Sequence, residues 1–393
     1  MTYRNSGKQH NKTILWGAPG SLWTGRTRAY FIKKQIDYQE MFPSNPRFME
    51  EIVPLVGYLA FPVHELQDGT IIQDGTDTME YFEKRITELP MIPSTPKQRS
   101  VAWLLELFGC DLFFIPAMHY RWNFPEQKEF LDNEFARALT PHKDKKRQQE
   151  AIKPVQEFFA DFPRAMGITD ETIPVIEASH IECLEILNKH FEYNLYLLGG
   201  RPSVADFGLI GPLYAHLGRD PVPANLMKNI APHVYRWTER MFESNQLDGE
   251  FMDTPYEYLS DDALPNTLIP FIEYLFRDCG SQLQGMINAY NNWVENDPSR
   301  PAGTLVQTDP EAPIGAHPYI GDFDFELRGT CIHSQAFSNV VHHFQRVCDV
   351  ISTLSDEGKA SFEALMESTG GTSLMSTKLA RRIKTENYCF RLE

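Results

Sequence analysis

The chain has 393 residues, 42% of them hydrophobic, which suffices for a sizeable core in two or three domains and excludes a disordered protein. Its 53 acidic residues against 37 basic ones leave a formal charge of −16, which repels phosphate backbones and excludes nucleic acid as a natural partner. The best candidate for a membrane span, Ile52 to Val63, is short and broken by Pro54, Gly57 and Pro62, and the six cysteines form neither a CxxC pair nor a zinc-finger spacing, so no membrane segment, disulfide or structural zinc is expected.

Met1 to Lys12 is polar and lacks the apolar core of a secretory signal, so a soluble cytoplasmic protein is expected. The apolar run Lys12 to Trp16 ends at Gly17-Ala18-Pro19-Gly20, which predicts a short buried strand and a turn. A helix follows from Thr24 to Gln35, with Thr27, Tyr30, Phe31 and Lys34 on one face and Ser21 where capping residues belong. Ile36 to Met41 alternates apolar with polar, as a half-buried strand does. Phe61 to Leu66 and Thr70 to Gln73 flank Gln67-Asp68-Gly69, a hairpin signal. Asp74-Gly75-Thr76-Asp77 then caps a helix whose apolar face is Thr78, Met79, Phe82 and Ile86. The predicted order is βαβ followed by ββα.

Pro93 to Pro96 reads as a linker, and Lys97 to Phe113 as a buried helix. The basic stretch His142 to Arg147, which contains Asp144, reads as a solvated helix end or loop. Glu177 to Leu198 reads as a long helix closed by Gly199-Gly200, and Ser203 with Asp206 opens the next one with a capping box. Beyond residue 255, Leu268 to Tyr290 and Phe337 to Ile351 carry the apolar faces of two amphipathic helices. Between them a Pro- and Gly-rich stretch, with Phe323, Phe325 and Leu327 alternating against charges, predicts a short strand among ordered loops. His180 with Cys183, and His342 with His343, offer no set of three converging ligands, so no metal is expected.

The residues from Ile14 to Arg28, ILWGAPGSLWTGRTR, resemble the first strand, active-site loop and first helix of glutathione transferases of the serine type, as in bacterial members. Phe61-Pro62-Val63 resembles their cis-proline strand. Asp74 to Phe82, DGTDTMEYF, resembles the helix start that holds the γ-glutamyl group of glutathione, and Arg201 to Phe207 is similar to their S-x-x-D capping box. Four motifs in order are moderately specific where each alone is weak. The resemblance implies an α/β thioredoxin-like N-terminal domain (12–90), an all-α glutathione-transferase-like C-terminal domain (97–250) and an extra, mostly helical C-terminal extension (255–393). It also implies glutathione as co-substrate, a small hydrophobic electrophile as second substrate, a detoxification role and a homodimer; the extension is left to pack against the transferase domains, to bury the site from water, or to replace the subunit interface that the family usually forms.

The implied chemistry needs the glutathione thiol as thiolate, although a free thiol titrates near about 8.5. A shift of about two units is worth roughly 2.7 kcal/mol, within reach of one hydrogen bond to a charged group plus a helix N-terminus. Ser21 is placed to supply both, and Thr24, one turn farther on, is the other hydroxyl in reach. By resemblance Pro62 is cis and Val63 offers its backbone to the tripeptide, while Asp74, Gly75 and Thr76 meet its γ-glutamyl end. Gly75 stands where the family usually has serine, leaving Thr76 to supply the hydroxyl, and Leu22 replaces a frequent proline. His119, Tyr120 and Trp122, with Arg121 among them, are positioned by resemblance to line the electrophile cavity. The alternative is a non-catalytic binding or scaffold protein that keeps the fold.

Overall fold

The computed structural model describes residues 3–246, 248–309, 315 and 317–393. Part of the Pro- and Gly-rich stretch, residues 310–314 and 316, lies outside them. The amino-terminal unit contains β1 (Thr13–Trp16), α1 (Leu22–Lys33), β2 (Tyr38–Met41), a π-helical turn running into α2 (Val53–Val56), β3 (Val63–Glu65), β4 (Ile71–Gln73) and α3 (Gly75–Glu83). Its sheet has the order β2-β1-β3-β4, with β2 parallel to β1 and β3 and β4 antiparallel. The Phe61-Pro62 peptide is cis, as the resemblance implied. Between β3 and β4, Gly69 takes a positive φ of 85°, so the Asp-Gly turn is read correctly from sequence. The final helix stops at Glu83, so Ile86 lies beyond it.

A helical body follows: α4 (Pro96–Leu107), a π-helical turn over Phe108–Leu112, α5 (Phe114–Trp122), α6 (Lys128–Leu139), α7 (Lys145–Ala165), α8 (Ile173–Phe191), α9 (Val204–Ala215), α10 (Pro221–Ile230) and α11 (Pro232–Arg240). Asp144 caps α7 through Arg147 N at 3.0 Å, so the basic stretch is a helix start. The helix expected to reach Leu198 ends at Phe191. Tyr196 and Gly199 instead pair with each other, and the Leu197 amide donates to Asp206 Oδ1 at 3.0 Å, so a tertiary acceptor draws this apolar run out of the helix. Asp206 also accepts from Ser203 N at 2.9 Å, completing the capping box, and from Trp237 Nε1 at 3.3 Å.

The helical body is centred on a backbone-to-backbone crossing. A Cβ on Gly208 of α9 would lie 2.6 Å from Glu106 Cα, and one on Gly109 would lie 2.6 Å from the Gly208 carbonyl carbon. Only hydrogen fits there. Gly208→Ala is therefore expected to destabilise the protein by about 1 to 3 kcal/mol through overpacking; an unchanged urea midpoint would contradict this contact.

The remaining chain adds α12 (Ile269–Glu295), a hairpin of β5 (Tyr319–Leu327) and β6 (Thr330–Phe337), α13 (Ser338–Ser352), α14 (Asp356–Thr369), α15 (Thr372–Ser376) and a second hairpin of β7 (Ile383–Glu386) and β8 (Cys389–Leu392). The two expected amphipathic helices are α12 and α13. The short strand expected around Phe323 is instead one arm of a long hairpin, turned by Arg328 and Gly329 at φ 51° and 83°. At the second hairpin Asn387 and Tyr388 are left-handed, and Tyr388 reaches back to the amino-terminal sheet, its hydroxyl donating to Ile71 O at 3.0 Å and accepting from Arg4 N at 2.8 Å. The extension is thus packed on the first unit as well as the second.

The strongest membrane-like segment is Pro96–Trp122 rather than Ile52 to Val63. It is long and apolar enough by length and composition, but 83% of its apolar window is buried inside the protein, as in a core helix.

Candidate functional site

The turn Gly17 to Gly20 delivers the chain into α1 with Ser21 extended at φ −83° and ψ 123°. Ser21 Oγ accepts from Thr24 N at 3.2 Å, which caps the helix and leaves the hydroxyl hydrogen free to donate. The residue lines a cavity of about 370 Å³ walled mainly by α5, α6 and α7. Met49, Leu59 and Phe158 belong to this lining and are 54%, 53% and 63% exposed, so they mark the mouth. Deeper in, Trp122 is stacked on Phe159 at 4.5 Å and on Phe135 at 5.6 Å between ring centroids. An aromatic trough of this size accommodates a small apolar molecule.

Helical periodicity decides which α5 residues reach it. Phe114, Met118, Arg121 and Trp122 recur at helical spacing and face the cavity. His119 and Tyr120 are excluded, which corrects their expected place in the pocket. His119 Nε2 donates to Glu177 Oε1 of α8 at 2.9 Å, and Tyr120 stacks on Phe124 and against His180. Burial lowers the His119 pKa, with Glu177 opposing. Thr24 is corrected likewise. It is fully buried behind the loop, and its Oγ1 accepts from Ala18 N at 3.3 Å. Ser21 is the hydroxyl left on the cavity.

Val63 is paired with Trp16 on one side and Gln73 on the other, so its backbone is enclosed by the sheet. The residue on the cavity is Phe61, which precedes Pro62. From sequence Phe61 stands only as part of the cis-proline motif and not as a cavity residue, and Phe158, Phe159 and Phe162 of α7 are not singled out. Their spacing was available but had no partner helix to face. His317, from the extension, also lines the cavity, its ring 5.9 Å from Trp23 and 5.7 Å from Phe114. Burial lowers its pKa, so the imidazole is neutral at pH 7.

The start of α3 is differently occupied. Asp74 sits at φ 83°, a strained value for a non-glycine residue, and Oδ1 accepts from Thr76 N at 2.7 Å and Asp77 N at 3.1 Å. A Cβ on Gly75 would meet Thr27 Oγ1 at 2.7 Å, which explains why no serine stands there. Thr76 does not replace that hydroxyl: its Oγ1 donates to Glu106 at 2.7 Å and accepts from Arg26 Nη2 at 2.5 Å in a fully buried network. Arg26 also reaches Glu106 at 2.5 Å and Cys110 Sγ at 2.7 Å. From the extension, Arg346 pairs with Asp77 at 3.1 Å and Glu80 at 2.7 Å, and His343 with Asp111 at 2.7 Å. Burial would raise the Asp74 pKa, but His343, Arg26 and the Asp77 amide hold it far below the usual carboxylate range. The helix start that the resemblance assigned to glutathione is therefore already faced by cations of the protein itself.

Burial lowers the His343 pKa, yet Asp111, Glu106 and Asp74 outweigh it and raise the value to about 9, with Arg26 and Arg346 completing the cluster. A folded value above the ordinary 6.5 means that this attraction is at full strength below about 6.5 and is lost as pH rises through about 9. Wild-type stability is expected to fall over that interval more steeply than that of His343→Gln. Equal slopes in pH-dependent urea titrations would contradict it.

Among the described residues no group of three or more His, Cys, Asp and Glu side chains is placed to hold a metal ion. Residues 177–245 match the family model described as the glutathione S-transferase C-terminal domain. Among solved structures the chain is similar to a glutathione transferase-like protein from Pseudomonas syringae, at 17% identity, covering 84% of this chain and 97% of that one with a TM-score of 0.40. It is similar to a glutathione S-transferase from Rhodospirillum rubrum at 15% identity, covering 65% and 97% with a TM-score of 0.37. A third, from Ceriporiopsis subvermispora in complex with glutathione, is 12% identical, covering 59% and 98% with a TM-score of 0.39. No curated protein sequence matches the chain.

Proposed function

We propose that this chain, which has the glutathione-transferase fold and whose residues 177–245 match the C-terminal domain of that family, brings a small hydrophobic electrophile to a glutathione thiolate held at Ser21. In this reading residues 12–90 bind the tripeptide, 97–250 the electrophile, and 255–393 close the site. The observation that carries it is the Ser21 hydroxyl, capping α1 and opening onto the aromatic cavity. That hydroxyl donates to the sulfur, and the positive end of α1 adds to the stabilisation. The cavity holds the electrophile against the sulfur, so orientation supplies the rest of the rate. Conjugation of chlorodinitrobenzene, together with calorimetry in millimolar glutathione, tests it; heat and turnover are expected, and the absence of both contradicts it.

A second reading, a binding protein without catalysis, is favoured by one observation: Arg26, His343 and Arg346 already surround the Asp74 helix start. It predicts that the cavity binds apolar probes while glutathione gives neither heat nor turnover.

A further inference from the structure

We infer that the cavity beside Ser21 takes an amphipathic carboxylic acid, its carboxylate received by Arg219 and its hydrocarbon by the aromatic wall. The inference rests on this cavity being the working site and adds the class of compound. Arg219 lies in the turn between α9 and α10 and lines the cavity. Its Nη1 is buried without a hydrogen-bond partner among the described residues, and stands 3.8 Å from where a Gly20 Cβ would be, next to Ser21. The indole Nε1 of Trp122, on the same lining, is a second buried donor without a partner. Buried donors are ordinarily satisfied, so two orphans on one cavity call for an acceptor from outside the chain.

The charges of this wall favour an anion. Arg121 is spent on both oxygens of Asp220, at 2.7 and 2.9 Å, and on the carbonyls of Gly20 and Ala215, each at 2.6 Å. Arg219 and Arg137 share the single carboxylate of Glu134. On the lining itself Arg121 and Arg219 face Asp220 and Glu134, and because the mostly exposed Arg137, off the lining, also draws on Glu134, the charge of Arg219 is only partly offset. Because the chain as a whole carries −16, attraction for an acid has to arise locally. A carboxylate supplies two acceptor oxygens to the orphaned donors, whereas an alcohol of equal length brings no charge. The tail then lies among Phe114, Met118, Phe159 and Phe162.

The test is displacement of the neutral fluorophore N-phenylnaphthylamine from the full chain by decanoate and by decanol. Decanoate is expected to act at about tenfold lower concentration, the equivalent of one good charged contact. Arg219→Met should erase that preference, and Glu134→Gln, which frees Arg219, should widen it. The opposite sign of the second variant separates the effect from loss of folding. Decanol equal to decanoate on the wild type, or no gain in Glu134→Gln, overturns the inference and leaves the cavity standing. Failure of fluorophore, acid and alcohol alike to bind overturns the cavity reading as well.

Discussion

Replacing Arg26 with methionine is expected to lower the unfolding free energy by about 3 to 5 kcal/mol, the usual cost of leaving a buried charge unpaired. Arg26 is fully buried on α1 and reaches Thr76 of α3, and Glu106 and Cys110 of the helical body, within 2.7 Å. Glu106 is itself only 1% exposed, so without the guanidinium its carboxylate is stranded. Methionine keeps most of the volume, which assigns the loss to charge rather than to a cavity. The double variant Arg26→Met with Glu106→Gln should recover most of the loss, because it removes the stranded charge. Urea titration reads both. A loss below about 1 kcal/mol, or no recovery in the double variant, contradicts the arrangement.

Ser21→Ala is expected to lower kcat/KM for glutathione conjugation by about 10- to 150-fold, the equivalent of one hydrogen bond to a charged group. Alanine also removes the cap on Thr24 N, at a cost of about 1 kcal/mol in stability, so activity has to be compared well below the unfolding transition. Ser21→Thr keeps a hydroxyl and a cap and should retain most of the rate. The pH profile should separate the two roles. The limb set by the thiol moves to higher pH in the alanine variant, while fluorophore affinity for the cavity stays the same. A rate lost in proportion to stability, with no movement of that limb, would make Ser21 a cap only.

Much of the amino-terminal unit was legible because its signals are local. Gly17 to Gly20, the Asp-Gly turn and the Asp74 cap each specify a turn or helix start without help from distant residues. The place of Ser21 as the cap of α1 was legible for the same reason. The pocket was less so. His119, Tyr120 and Trp122 are neighbours in sequence, but successive helical residues point in different directions, and only Trp122 shares the cavity face with Phe114 and Met118. Thr24 and Thr76 are hydroxyls in the expected positions whose hydrogen bonds are taken by Ala18 and Glu106, partners no local pattern announces. The extension was visible as amphipathic helices, yet nothing in its own sequence says that Arg346 pairs with Asp77 and Glu80 of α3, more than 250 residues away in the chain, or that His343 pairs with Asp111. Its hairpins depend on pairing, which a single alternating strand only half reveals.

The most direct measurement is the ultraviolet thiolate band of glutathione bound to the wild-type chain and to Ser21→Ala across pH. The account predicts a thiolate signal at neutral pH in the wild type, with a midpoint displaced upward in the variant. A bound tripeptide whose sulfur titrates near its free value in both proteins would contradict it.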